Sequence, residues 1–365
     1  MIDSPYPEMK KTHTMARTGR PWRDFKPPAA APVWAVIQGF VDYWVLVAAI
    51  ELGLFDALAR AARSGAGAVS VDDVADALGT SPPHTGALLD AHVALGFVES
   101  VPGGYVLSDT AERYLTTDGA ASMVELVAVA NGPHGNWPSL ADTVRRGAPA
   151  APVDDDPVAF YLPLVVATFP TQHRAAGRLA ARIGIGRTSG PRILDLGCGG
   201  APWALALTLA CDGATAVVND LPGVIELAGE KATALGLADR VELRPGSYFD
   251  VELEDAVYDI VVLAHVCRAE GESGARRLIE RTRCALRPGG RVILADYFRG
   301  STRTANPFAA LMGATMMAST RHGDTFTGPQ VVGWLHDAGL ADIRLHEPIG
   351  GQQCYVAIKP PTPQE

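Results

Sequence analysis

Leu194-Asp195-Leu196-Gly197-Cys198-Gly199-Gly200 is the stretch that decides the fold. It completes a short apolar run, Arg192-Ile-Leu-Asp-Leu, and precedes a segment of helical character that runs through Ala210. A strand that turns through glycines into a helix opens a nucleotide-binding βαβ unit, because residues without a Cβ let the backbone approach a ligand. Further runs follow at Ala216-Val-Val-Asn-Asp, Arg240-Val-Glu-Leu-Arg, Tyr258-Asp-Ile-Val-Val-Leu-Ala and Gly290-Arg-Val-Ile-Leu-Ala-Asp, with helical segments between most of them. This alternation predicts an α/β domain, a doubly wound parallel sheet that begins near Pro191.

Two acids accompany the glycines. Asp195 ends the first strand, and Asp220 ends the second, twenty-one positions after Gly199. A strand-end carboxylate at that distance takes both hydroxyls of an adenosine ribose. NAD fits poorly, because Pro202 stands where the dinucleotide fingerprint places its third glycine. An acid ahead of the glycines instead suits a cofactor with a sulfonium, an amino group and no pyrophosphate, which is S-adenosylmethionine. The nine histidines form no HxH or HExxH pair, so no metal site is expected.

The chain has 31 basic and 40 acidic residues, a formal charge of −9, which disfavours nucleic acid as a partner. Five scattered cysteines without a CxxC pair read as reduced, mostly buried thiols in a cytoplasmic protein. Three parts are expected: a basic flexible arm over 1–32, a mainly helical domain over 33–185 and the cofactor-binding domain over 186–365. Val33–Phe55 is apolar enough to suggest a membrane span, but Gln38, Asp42 and Glu51 interrupt it and Gly39 and Gly53 break it. A helix buried at a subunit interface is the better reading. From Val71, with Ser70 as N-cap, two helices and a glycine-turned hairpin at Glu99–Leu107 make a winged-helix pattern. Its second helix, Pro83–Gly96, carries no Lys or Arg, which argues for packing and against a DNA-binding regulator. The Asp154-Asp155-Asp156 run reads as a solvated turn, and a further helix spans Tyr161–Ile185.

Gly39-Phe-Val-Asp-Tyr-Trp through Leu52-Gly-Leu-Phe-Asp-Ala-Leu, the winged helix, Leu194–Gly200, Asp220-Leu-Pro, Gly246-Ser-Tyr-Phe and Leu286-Arg-Pro-Gly-Gly occur in a specific order. In these, the chain resembles the caffeic-acid and acetylserotonin type of O-methyltransferase and its bacterial antibiotic-pathway relatives, over roughly Val33 to Lys359. The resemblance implies an intertwined homodimer, cofactor contacts from Asp195, Gly197, Gly199, Asp220, Leu221, Ser247, Tyr248 and Tyr161, and an acceptor site between the domains. The family usually has Asp where Ser247 stands, so that contact is altered. It also implies acceptor contacts from His134 and Trp137 on a Gly/Pro-rich loop and from Met312, Met316 and Phe326. Phe160, Phe169, Gln172 and His173 lie on the helix that approaches the cofactor's methionine end. Core packing accounts for each of these acceptor-side positions equally well.

One departure matters. The family's base, a His nine residues after the strand-four Asp, corresponds here to Arg268, counted from Asp259. A guanidinium stays protonated and cannot be that base. His265 is a candidate substitute, and Asp296, which matches the family's carboxylate partner to the base, would hold Arg268 by a charge-assisted pair. A lost base and a gained anion binder point toward a carboxylate-bearing small acid with a self-sufficient nucleophile. The thioether of 4-methylthio-2-hydroxybutyrate, an S-methyltransferase substrate in dimethylsulfoniopropionate biosynthesis, meets that description. O-methylation of an aromatic or polyketide hydroxyl, and a non-methylating cyclase or hydroxylase on this scaffold, stay open as alternatives.

Overall fold

The computed structural model describes residues 30–361 apart from 66, 131–136, 188 and 350–351. The basic arm expected before residue 33 therefore lies almost wholly outside the described residues. Two compact units divide at Ser122–Met123.

In the first unit, α1 (Ala31–Leu52) stops where Gly53 takes a left-handed conformation, and α2 (Leu54–Arg63) follows at once. Only Val47 and Ala49 of α1 are buried, so Val33, Val36, Ile37 and Phe40 stay exposed. By length and apolarity α1 would suffice to cross a membrane. The winged helix forms from α3 (Val71–Leu78), α4 (Pro82–Leu95) and the antiparallel pair β1 (Val98–Val101) and β2 (Gly104–Leu107), with α5 (Asp109–Tyr114) behind them. Ser70 caps α3 as expected, its Oγ accepting from the Asp73 N–H at 3.2 Å. Inside α4, His92 is fully buried, 5.1 Å edge-on from Phe55, and donates from Nε2 to Val45 O. Burial drives its pKa down to about 4, so it serves as a neutral core ring.

The second unit opens with α6 (Val124–Ala130), α7 (Leu140–Arg146) and α8 (Pro157–Ile183). Strand–helix alternation follows: β3 (Arg192–Leu196), α9 (Pro202–Ala210), β4 (Thr215–Asp220), α10 (Ile225–Ala234), β5 (Val241–Pro245) and β6 (Tyr258–Ala264). The chain then runs through α11 (Cys267–Ala285), β7 (Leu286–Asp296), α12 (Pro307–Ser319), α13 (Gly328–Asp337), β8 (Ala341–Ile349) and β9 (Gln352–Ile358). One seven-stranded sheet results, in the order β5-β4-β3-β6-β7-β9-β8. Successive strand residues point to opposite faces, and here both faces are covered. Ile193, Val218, Ile260 and Val262 pack under α8, α9 and α10. Leu194, Val217, Val261 and Leu263 pack under α11 and α13.

Two features differ from the sequence-based expectation. The sheet is mixed, because β9 runs antiparallel to both β7 and β8. Those two strands escaped notice because β9 opens on Gln352-Gln353 and the edge strand β8 is studded with Asp342, Arg344, His346 and Glu347. The boundary also falls earlier than residue 185: α8 buries Ala175, Ala176 and Leu179 in the same core as Trp203 and Leu205 of α9, so it belongs to the cofactor-binding unit.

Between β4 and β5 the buried Asn219 donates from Nδ2 to the carbonyls of Arg244 (2.8 Å) and Gly246 (2.9 Å). Asn219→Ala would strand both carbonyls in the interior. We expect a loss of about 1–3 kcal/mol in urea unfolding; a midpoint equal to that of the parent would show that these bonds contribute nothing net.

Candidate active site

The carboxyl ends of β3, β4, β6 and β7 bring Asp195, Asp220, His265 and Asp296 to one end of the sheet, at the β3–β6 junction where doubly wound folds bind ligands. Gly197 (φ 66°) and Gly199 (φ 57°) take the left-handed conformation that other residues avoid. A Cβ on Gly197 would lie 2.3 Å from Val266 Cγ1, and one on Gly199 would lie 2.7 Å from Val165 Cγ1. The loop has no room for any other residue at either position.

Asp220 closes this loop. Its Oδ2 accepts from the Gly199 N–H and its Oδ1 from the Leu221 N–H, each at 2.7 Å. Burial raises its pKa, and those two amides pull it back. Asp195 is worse placed. Its Oδ2 accepts from the Ala204 N–H at the start of α9 (3.1 Å), but its Oδ1 is buried with no partner. Burial pushes its pKa to about 8, with Asp220 adding to the rise. Tyr248 hydrogen-bonds Glu270, and burial beside that carboxylate drives its phenol far above the usual range. Tyr161 is raised to about 12, chiefly by burial; Arg268 opposes this, while Glu270 and Asp220 add to it. Tyr161, Tyr248, Asp220, Glu270 and Arg268 thus share one charged neighbourhood. Ser247 Oγ accepts from the Phe249 N–H at 3.1 Å and shapes the turn after β5.

Arg268, at the start of α11, donates from Nη1 to Asp296 Oδ1 (2.7 Å) and to His265 Nδ1 (2.5 Å). Because guanidinium only donates, His265 Nδ1 is the acceptor and the imidazole proton sits on Nε2. That nitrogen donates to Gln172 Oε1 at 2.9 Å. The same oxygen receives Trp203 Nε1 at 3.2 Å and Gln352 Nε2 at 2.9 Å. The two donors His265 Nε2 and Gln352 Nε2 lie 2.8 Å apart as they converge on it. Burial, and then Arg268, lower the His265 pKa, so the ring is neutral. Burial works against the Asp296 carboxylate, yet the Arg268 guanidinium holds it well below the usual range. His265 also adopts φ 63°, a left-handed conformation rare for its type, with its N–H on Ala295 O at 2.8 Å. It is therefore not the substitute base: one nitrogen is engaged by Arg268 and the other carries the proton.

The acceptor-side expectations fare unevenly. His134 lies outside the described residues, and Trp137 is exposed in a short 3-10 turn. Met316 is buried and Met312 half-buried on α12. Phe326 is a core residue, 4.7 Å from the Trp334 ring, and not a pocket wall. The aspartate run is also more than a solvated turn. Asp154 Oδ2 accepts from the Arg321 N–H (3.0 Å), Asp155 pairs with the Arg321 guanidinium, and Asp156 caps α8. Sequence reasoning named Gln172 only as a weak candidate and missed Gln352, Glu270 and Asn219, whose partners are 180, 22 and 25 residues away. No local pattern signals such pairs.

The glycine cradle, the ribose-side Asp220 and the unpartnered Asp195 oxygen fit a cofactor that brings positive charge and hydrogen-bond donors. Together with this sheet order they define a class I, S-adenosylmethionine-dependent methyltransferase. Residues 34–117 match the O-methyltransferase dimerisation domain, and residues 188–340 match the O-methyltransferase domain. The chain is 31% identical over 312 residues to a 3-hydroxy-5-methyl-1-naphthoate 3-O-methyltransferase from Streptomyces sahachiroi, covering 82% of this chain and 86% of that one. It is 27% identical over 342 residues to acetylserotonin O-methyltransferase from Bos taurus, covering 88% and 95%. Human N-acetylserotonin methyltransferase, solved in complex with S-adenosylmethionine, has the same fold, with a TM-score of 0.79, 23% identity and coverage of 92% and 99%. The chain belongs to this O-methyltransferase family. The expectation of S-methylation of a thioether acid gains no support, since the relatives are named for transfer to oxygen. The winged helix lies within the matched dimerisation domain, which accounts for its lack of basic residues.

When bound, S-adenosylmethionine supplies a methyl group on a cationic sulfur. Asp195, Asp220 and the Gly197–Gly199 backbone would hold it, and its positive charge would keep Asp195 ionised. Because the folded Asp195 carboxyl binds its proton more tightly than an unfolded one, the stability that this group contributes to the unliganded chain is fully present below about pH 4 and is lost as pH rises through about 8. Asp195→Asn should abolish that decline, leaving the variant at least ~1 kcal/mol more stable than the parent at pH 8.5, while weakening S-adenosylmethionine by ~1.5–3 kcal/mol in calorimetry. A parent whose urea midpoint does not change between pH 6 and 8.5 would refute the buried-acid assignment.

Proposed function

We propose that this chain transfers the methyl group of S-adenosylmethionine to an aromatic hydroxyl of a small molecule, working as a homodimer. The observation that carries the acceptor is the 31% identity to a naphthoate 3-O-methyltransferase across both domains. A phenol is a competent nucleophile once ionised, and an in-line displacement at a methyl group depends chiefly on positioning. Aromatic surface is present beside the charged cluster. The Tyr297 ring lies 5.2 Å from His265 and 4.9 Å from Phe308, and Phe308 is half exposed. The match to a dimerisation domain and the exposed apolar residues of α1 support the homodimer. Five free thiols suit a reducing, cytoplasmic setting.

Release of S-adenosylhomocysteine should follow addition of naphthols or hydroxylated aromatic acids. It should stay at background with 4-methylthio-2-hydroxybutyrate. Turnover confined to the thioether acid would defeat the oxygen-acceptor reading.

Phe40 on α1 is 68% exposed, so a charge there costs the folded subunit little. Phe40→Glu should yield folded monomers by analytical ultracentrifugation, whereas the parent sediments as a dimer. A monomeric parent at micromolar concentration would end the dimer assignment.

A further inference from the structure

Among the described residues, the Arg268 guanidinium forms hydrogen bonds through only one of its nitrogens. Nη1 makes both of its bonds, to Asp296 Oδ1 at 2.7 Å and His265 Nδ1 at 2.5 Å. Among the described residues, Nε and Nη2 donate to nothing, and neither belongs to the polar atoms that are sealed off without a partner. The side chain keeps 15% of its surface exposed, and this unused N–H edge is not sealed off. Asp296 fixes the head from one side, and the Tyr297 ring lies 5.7 Å from the guanidinium carbon. Among the described residues around it, the basic groups already have partners. His265 is fully engaged, Asp296 is paired, and Glu270 takes the Tyr248 hydroxyl.

We propose that the acceptor reacts as its anion, an ionised phenol or enol whose oxygen is held by the free Nε/Nη2 edge of Arg268, so that the site stabilises the deprotonated acceptor instead of removing its proton with a base. This rests on the oxygen-acceptor reading and narrows it to acidic hydroxyls. An opposite charge within about 4–6 Å lowers the pKa of an acid by about 1–3 units, which brings a phenol of pKa about 10 toward the working pH. The same charge does too little for an aliphatic alcohol and repels a protonated amine. The balance is simple. The hydroxyl proton leaves to solvent before transfer, an oxygen lone pair forms the O–CH3 bond, and the S–CH3 pair departs with sulfur. The products are the neutral aryl ether and S-adenosylhomocysteine.

The test is kcat at saturating acceptor, from pH 6 to 10, for ring-substituted naphthols of graded acidity, with and without a ring carboxylate. It uses the full-length parent, Arg268→Gln, and Arg268→Gln combined with Asp296→Asn. The double variant guards against misfolding caused by an unpaired buried carboxylate. For the parent, each naphthol should show an apparent pKa that follows its own acidity but lies below its solution value. In the variants that value should return to the solution one. kcat at pH 7 should fall by about 10- to 100-fold, the equivalent of one to two pKa units. The deficit should disappear at high pH, while calorimetric affinity for S-adenosylmethionine holds. Three results would overturn the proposal: one pKa common to all naphthols, a deficit independent of pH, or a deficit confined to carboxylate-bearing acceptors. The last would make the edge a carboxylate anchor. Absence of turnover for every hydroxyl, with the cofactor still bound, would instead remove the oxygen-acceptor reading itself.

Discussion

A carboxylate taken out of water has to be met by opposing charge or by hydrogen-bond donors, and three of them stand along one edge of this sheet. Each is met differently. Asp296 has a full cation in Arg268 and stays ionised. Asp220 has two backbone amides, which tie the glycine loop to β4 and offset part of its burial. Asp195 has one amide and one bare oxygen, and its pKa climbs to about 8. The series separates what is complete in the protein alone from what awaits a ligand. Asp296 is finished, Asp220 is half committed to the fold, and Asp195 is the group whose environment a cationic cofactor would complete.

The Arg268–Asp296 pair also organises its surroundings. With Nη1 shared between Asp296 and His265, the imidazole tautomer is fixed, and its Nε2 proton is directed onto Gln172 of α8. Trp203 of α9 and Gln352 of β9 close on the same oxygen. Four parts of the chain, far apart in sequence, are therefore joined through one amide. A network this buried is worth most when every member is satisfied and costs most when one is removed. Replacing the expected His by Arg is consequently more than the loss of a base. It also ties the neighbouring His265 into the network through both ring nitrogens.

The cofactor half of the site was legible because its signals are local. A strand, two glycines at left-handed φ and an acid at the next strand's end lie within some twenty-five residues, and their spacing carries the geometry. Ser70 as a cap and Tyr258–Ala264 as a strand were legible for the same reason. The extent of the catalytic unit was not, since nothing within α8 says which core its Ala175 and Leu179 enter. The antiparallel strands were hidden by polar residues on an edge and by the glutamines that open β9. His265 was misread because spacing alone cannot tell which ring nitrogen is engaged; Arg268 settles that from three residues away. Phe326 was misread for a plainer reason: an aromatic residue that follows a methionine-rich helix looks the same whether it lines a pocket or, as here, meets Trp334 in the core.

The two halves of the site carry opposite electrical character, and methyl transfer gives that arrangement its sense. Asp220, joined by Asp195 once a cationic cofactor ionises it, would set negative charge against the sulfonium, while the role proposed for Arg268 sets positive charge against an ionised hydroxyl. Transfer of a methyl group from a cation to an anion destroys both charges, so water, which solvates the separated ions best, opposes it. Fixed counter-charges do better: they hold each ion without a mobile solvent shell that must reorganise as the charges vanish. The requirement is that the protein's own charges be arranged before the reactants arrive. The paired Asp296 keeps Arg268 in place with one edge free, and the two amides on Asp220 keep that carboxylate at the loop. An acceptor that is already an anion needs no base in such a site. That is why the exchange of His for Arg is compatible with retained chemistry, provided that the hydroxyl is acidic enough to give up its proton to water.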